Sequence, residues 1–374
     1  MRKELSGMFP KDFHPETRYF YNRMNHSEKR FYEFLVERIV NLEFEFFCVA
    51  YEDSIPNDER SRSLPRFVLN LYEEEKYDYL CASLTFTRLI WDCPEFFYVN
   101  LCELVCKVGE PYVIGTGVSP YTPEEIAHYN AKLEDIIHRF DGIDDPYELE
   151  LAVHDFIAES YSYEYDDERL SGQEFDEIFT VVGFLKRGRA VCEAYTDLAQ
   201  LILQRRGIPC VHMISHGKPD DDKDHAWLAV KLDGEYYHLD ITHNDSEDSP
   251  EIGLNHRLFN VTDEEIYDED RVLYRDYYPD VFCTATKYNY FVKNGLLFDS
   301  LDSLKSALNE KLRMYRGTGE RILFEFKVAL PLGSDIMLVN NTVYETLGDD
   351  ADDSCDGYTH GIGHFIYSLV FTKK

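Results

Sequence analysis

Residues 224 to 242 read DHAWLAVKLDGEYYHLDIT, and this stretch decides the fold. Asp233-Gly234 sits between two runs of alternating apolar and polar residues, the strongest short-range signal for a two-residue β-hairpin. Such a turn fixes the register. It sets Leu232 opposite Glu235, Val230 opposite Tyr237, Leu228 opposite Leu239 and His225 opposite Thr242. Alternation then sorts the faces. Ala226, Leu228, Val230, Tyr237, Leu239 and Ile241 share one face and can pack a core. His225, Trp227, Ala229, His238, Asp240 and Thr242 share the other. His225 and Asp240 become diagonal neighbours about 7 Å apart at the backbone, within side-chain reach.

Upstream, residues 188 to 195 read GRAVCEAY and lead into TDLAQLILQRRG. Tyr195, Leu198, Leu201, Ile202 and Arg205 fall at helical spacing, and Gly207 fits a C-terminal stop. Cys192 is therefore expected in the first turn of a helix, where unpaired N–H groups and the helix dipole favour a thiolate. PCVHMIS, residues 209 to 215, reads as a strand, and residues 217 to 224 form an acidic loop before the hairpin. A cysteine nucleophile needs an imidazole to take its proton and later protonate the leaving amine. The imidazole needs a carboxylate to fix its tautomer. Cys192, His225 and Asp240 supply those three roles, and they are the candidate catalytic residues.

The totals bound the class. The chain has 374 residues, long enough for two or three units, and its 28 Tyr and 25 Phe argue for real cores. A formal net charge of −33 argues against nucleic acid, because a phosphate-binding surface needs clustered Lys and Arg. The nine cysteines are odd in number and irregular in spacing, so neither a disulfide framework nor a zinc module is expected. No apolar h-region follows the charged start, and no run approaches a membrane span, so the expected address is cytoplasmic.

Ser27 precedes a helical pattern, residues 67 to 90 read as a second helix ending before Pro94, and Thr122-Pro123-Glu124-Glu125 is a capping box. Asp145-Pro146 opens another helix. Past 272 the chain holds a helix (301 to 315) and three strand-like runs, ILFEFKVAL, DIMLVNNTVY and HFIYSLVF. The reading is α+β. It has a helical N-terminal region (1–144), a catalytic core (145–271) and a small C-terminal α+β domain (272–374), with Gly142 to Asp144 as linker.

The blocks AVCEAY, DHAWLAV and YYHLDIT together resemble the three motifs of the transglutaminase-like superfamily, whose core is a papain-like cysteine protease fold. AVHDFIAESYSYEYD and FNVTDEEI are similar to segments flanking that core in bacterial members, and DCPEFFYV to the helical region that precedes it. The resemblance covers residues 146 to 270 well and 20 to 145 loosely. It implies Cys192 as nucleophile, His225 as base and Asp240 as orienter. The chain departs from the family pattern at Ala194 (glycine), Leu228 (asparagine) and His243 (tryptophan).

The Cys192 N–H is the expected oxyanion donor, with Tyr161, Tyr163 and Tyr165 as candidates for a second. His238, Asp240 and His243 have a metal-like spacing, but strand alternation separates His243 from the other two unless the strand has ended. His360 and His364 are too loosely placed near Cys355 to suggest zinc, and no phosphate-binding glycine loop is present. No cofactor and no metal are expected. The expected activity is acyl transfer or hydrolysis at protein or peptide amide bonds through a thioester. A cysteine endopeptidase and a catalytically silent binding or scaffold protein of the same fold are the alternatives. Nothing in the residues fixes an oligomeric state.

Overall fold

The computed structural model describes residues 14–49, 62–63, 66–68, 79–99, 103–105, 112–117, 119–216, 224–245, 254–266, 272–273, 275–318, 322–331, 334–348, 355–360 and 364–371. The acidic loop before His225, the run Asp349 to Asp353 and the side chains of His360 and His364 lie outside them. The chain forms two compact units. One comprises residues 1–144, 164–190 and 197–212, the other 145–163, 191–196 and 213–374. Among the described residues no helix is long and apolar enough to cross a membrane.

In the first unit, α1 (His26–Val40) starts from a capping box in which Asn25 and Glu28 bond each other's backbone N–H. The cap is Asn25, two residues before the Ser27 that the pattern suggests. Within the span expected as a helix, Arg66–Val68 pairs in parallel with Phe46–Val49 as a strand, Tyr79–Asp92 forms α2, and residues 69–78 lie outside the described residues. These strands, β1 (Phe46–Val49) and β2 (Arg66–Val68), join β3 (Glu103–Val105) and β4 (Tyr112–Thr116) in a sheet ordered β2-β1-β4-β3. The N-terminal region thus carries a sheet as well as the expected helices. The capping box at Thr122 and Glu125 opens α3 (Pro123–Ile137) as read from the sequence.

In the second unit, Asp145 caps α4 (Pro146–Ser160) by accepting the N–H groups of Tyr147 and Glu148. The helix buries Tyr147, Leu149, Val153 and Ile157. Cys192 is the first residue of α5 (Cys192–Arg205). The central sheet runs β8-β7-β6-β5-β9, from β5 (Cys210–His216), β6 (His225–Leu232), β7 (Glu235–Leu239), β8 (Phe259–Val261) and β9 (Val272–Leu273). Tyr147 and His154 of α4 meet the ring of Phe259 on β8 edge-on, at 5.8 and 5.2 Å between centroids.

The hairpin has the register read from its turn, with Leu228 facing Leu239, Val230 facing Tyr237 and Leu232 facing Glu235. Asp233 and Gly234 have φ of 51° and 90°, the left-handed pair that a type I′ turn requires. Both sheet faces are buried, including Trp227, Ala229, His238 and Asp240. Thr242 does not face His225 across the ladder. The strand ends at Leu239, the Asp240 N–H turns to the Leu258 carbonyl at 3.0 Å, and Thr242–Asn244 coils into a 3₁₀ turn.

The C-terminal part of this unit is a second sheet, ordered β10-β11-β13-β12, with β10 (Leu297–Phe298), β11 (Ile322–Ala329), β12 (Cys355–His360) and β13 (His364–Phe371). Two helices pack on it, α6 (Leu301–Thr318) and α7 (Ile336–Leu347). The second helix corrects the strand reading of DIMLVNNTVY. That run is rich in strand-favouring Ile, Val, Thr and Tyr, but Asp335 caps it by accepting the Met337 N–H. Val339, Val343 and Leu347, each four apart, close one core with Leu304, Leu308, Phe324 and Phe326. On β11, Phe324, Phe326 and Val328 enter that core. The alternate residues Glu325 and Lys327 reach His256 and Glu265 instead.

Candidate active site

Cys192 opens α5 directly after Val191, whose carbonyl accepts the first turn's Ala194 N–H at 3.0 Å. The Thr196 hydroxyl donates to the Cys192 carbonyl at 2.9 Å and ties down the same turn. The sulfur accepts the backbone N–H groups of Ala226 and Glu193. Ala226 follows His225 directly, so this bond brings the helix start to the head of β6. Burial pushes the thiol up to about 12, the two N–H groups pull the other way, and the carboxylates of Glu193 and Asp240 add to the rise. Burial therefore opposes the thiolate that the helix start favours.

His225 donates through Nε2 to Asp240 Oδ2 at 2.9 Å. Asp240 is fully buried while the His225 side chain keeps 12% of its surface exposed. A buried carboxylate beside an imidazole is the arrangement that fixes a tautomer, with the proton on Nε2 and the lone pair on Nδ1. The imidazole also lies flat against Trp227, centroids 5.8 Å apart and planes 15° apart. The structure thus brings His225 beside Asp240, and Cys192 beside the residue that follows His225.

The carboxylate has a second imidazole partner. His243 Nδ1 lies 3.0 Å from the same Oδ2, the His243 N–H donates to Oδ1 at 3.2 Å, and the two imidazole rings meet edge to face at 4.6 Å. The strand has ended before His243, so alternation no longer governs it. The position that departs from the family pattern is therefore in contact with the candidate orienter. The His238, Asp240 and His243 spacing does not form the group it suggests. His225, Asp240 and His243 form one cluster, and His238, Asp263 and Cys283 form another.

Beneath the site, Trp227 Nε1 donates to His238 Nδ1 at 3.0 Å, and His238 Nε2 lies 2.9 Å from Asp263 Oδ1. An indole N–H only donates, so His238 Nδ1 is the acceptor and its proton sits on Nε2, facing Asp263. Arg275 holds the other oxygen of that carboxylate at 2.7 Å. The hairpin register already placed Trp227 and His238 as diagonal neighbours on one face. Asp263 and Arg275 lie outside the hairpin and gave no comparable signal.

The 3₁₀ turn that carries His243 is anchored by Asn244. Its Oδ1 accepts the Leu258 N–H at 2.9 Å, and its Nδ2 therefore points to His154 Nε2 at 3.0 Å. His154 donates from its other nitrogen, Nδ1, to Asp155 Oδ1 at 2.8 Å, and Asp155 Oδ1 also meets His256 Nε2 at 3.0 Å. His256 Nδ1 reaches Glu325 Oε2 at 2.7 Å, and Tyr290 stacks on the ring at 3.8 Å. Burial opposes the charge on His256, but its two carboxylate partners prevail and raise it to about 9.

Of the three tyrosines considered for the oxyanion site, Tyr161 packs on Phe156 at 6.0 Å and Tyr163 stacks on Tyr195 at 6.5 Å, whose hydroxyl bonds Asp245. Tyr165 is exposed.

Residues 134–241 match the family model of the Transglutaminase-like superfamily. No curated protein matches the sequence. Among solved structures the chain is similar to a candidate cysteine protease from Cytophaga hutchinsonii, with a TM-score of 0.25 and 16% identity over 35% of this chain and 52% of that one. It is also similar to a protein described as a TGase, with a TM-score of 0.25 and 13% identity over 45% of this chain and 49% of that one. The chain spans about half the length of each of these two structures.

Proposed function

We propose, from the match of residues 134–241 to the transglutaminase-like superfamily, that the chain is a cysteine-dependent acyltransferase or hydrolase of protein or peptide amide bonds. Cys192 is the nucleophile, His225 the base and Asp240 the orienter. The observation that carries this reading is the 2.9 Å bond from His225 to a fully buried Asp240, with the Ala226 N–H on the cysteine sulfur.

In this reaction the Cys192 S–H proton passes to His225 Nδ1 as the sulfur attacks the carbonyl carbon. The Asp240 charge stabilises the imidazolium that forms. The oxyanion of the tetrahedral adduct is held by the first N–H of α5, that of Cys192. Collapse breaks the C–N bond, the imidazolium returns its proton to the leaving amine, and a thioester remains. An incoming amine or water then attacks the thioester and frees the thiol. The acceptor is chosen by access to the cleft, not by the three side chains.

The test is the alkylation rate of Cys192 by iodoacetamide, followed by peptide mapping. The wild-type rate should exceed that of a free peptide thiol and fall about tenfold or more in His225→Ala. A wild-type rate equal to that of the peptide thiol would support the silent scaffold instead. Incubation with a glutamine peptide and a labelled amine separates amine incorporation from backbone cleavage.

A further inference from the structure

Three groups of histidine, carboxylate or thiol side chains bring their ligand atoms within 4.8 Å of one another: His154–Asp155–His256, His238–Asp263–Cys283 and His225–Asp240–His243. Hydrogen bonding separates them. A histidine that ligates a metal through one nitrogen must keep its proton on the other. His238 faces the donor-only Trp227 N–H with Nδ1, so metal at Nε2 would leave that ring no place for its proton. Arg275 beside Asp263 adds a fixed positive charge there. His154 is blocked in the same way, because the Asn244 amide donates to its Nε2. His225 and His243 differ. Each points its nitrogen at a carboxylate oxygen, an acceptor, so in each the facing nitrogen carries an exchangeable proton.

We propose that His225 Nε2, Asp240 Oδ2 and His243 Nδ1 form a binding site for a divalent cation of the zinc type, and that the bound ion switches the cysteine site off. The first half rests on geometry alone, and the second rests on the function proposed above. The ligand set is two imidazoles and one carboxylate, with the fourth position left to water, a set suited to zinc. Tetrahedral zinc with bonds near 2.0–2.1 Å spaces its ligands about 3.3 Å apart. The two nitrogens already stand 2.9 and 3.0 Å from the shared oxygen, so a small opening admits the ion. The ion exchanges no net proton with the rings. Each imidazole stays neutral, its proton moving from the facing nitrogen to the other one. His243 is the entry side, with 41% of its side chain exposed over the buried Asp240.

Inhibition follows from the same proton count. With Nε2 on the ion, His225 must hold its proton on Nδ1, and it can no longer accept the proton of Cys192. His243 stands where the family pattern has tryptophan, whose indole N–H offers no lone pair to a metal.

The experiment is equilibrium binding of zinc ion alone to the full chain, by competition with a chromophoric chelator. In parallel, Cys192 alkylation is measured with and without zinc. One equivalent should bind, alkylation should slow about tenfold or more at saturation, and excess chelator should restore it. His243→Phe should weaken zinc binding about tenfold or more, and Cys192→Ser should keep it. His243→Gln, a second variant at an exposed position, guards against a misfolded phenylalanine variant and should weaken binding likewise. Zinc binding unchanged in both His243 variants, or lost in Cys192→Ser, overturns the proposal by placing the ion on thiols. Binding that follows His243, with alkylation insensitive to His225→Ala, would leave the metal site standing and remove the enzymatic reading.

Discussion

The buried imidazolium of His256 makes stability depend on pH in a direction that can be worked out. Its rise from 6.5 to about 9 is worth about 3 kcal/mol, because each unit is about 1.4 kcal/mol. The group's folded value lies above its unfolded one. Its contribution is therefore complete below pH 6.5 and is lost as pH climbs through 9. Glu325 supplies two of the contacts, Oε2 on the ring and Oε1 on the His256 N–H at 2.8 Å. If half of the rise belongs to Glu325, Glu325→Gln should destabilise the chain by about 2 kcal/mol at pH 6. That penalty should shrink toward zero between pH 8 and about 10. Urea unfolding of both proteins at matched pH values measures it. A penalty of the same size at every pH would refute an imidazolium at His256, leaving only a packing role for Glu325.

Other outcomes follow from the same bonds. Asp240→Asn should lower turnover by about a thousandfold or more with the fold intact by circular dichroism, because an amide facing Nε2 selects the wrong tautomer. Burial raises the Glu150 carboxyl to about 8 against a bond from Asn260, so the folded chain loses stability as pH rises from 4.5 through 8. Glu150→Gln should thus be close to neutral at pH 5 and more stable than wild type by about 4 kcal/mol above pH 8 in the same urea assay. Asp335→Ala removes the cap of α7 and should cost about 1 kcal/mol, whereas a strand at this place would be indifferent to it.

The hairpin was the most legible part of the chain because a two-residue turn leaves one register, and residues 228 to 239 pair as that turn dictates. The approach of His225 to Asp240 follows from the same count. The helix start at Cys192 was legible from spacing and a terminal glycine. What was not legible depends on contacts distant in sequence. Arg66–Val68 is a strand only because Phe46–Val49 lies beside it. Residues 336 to 347 are a helix because three branched or leucine side chains four apart meet α6 and β11, a tertiary choice that overrides their β propensity. His243 eluded the alternation argument because the strand ends before it, and nothing in its own neighbourhood marks that end.

The alternation along β11 has a practical consequence. Its even positions fill the core beneath α6 and α7, while Glu325 and Lys327 supply counter-charges to His256 and Glu265, both earlier in the chain. A truncation at 271 would strip a cation and an anion of their partners in one cut. The core bounded by residues 145–271 is therefore not a unit to be expressed alone. A fragment that keeps His256 and Glu265 must run past residue 328, or carry neutral replacements at both.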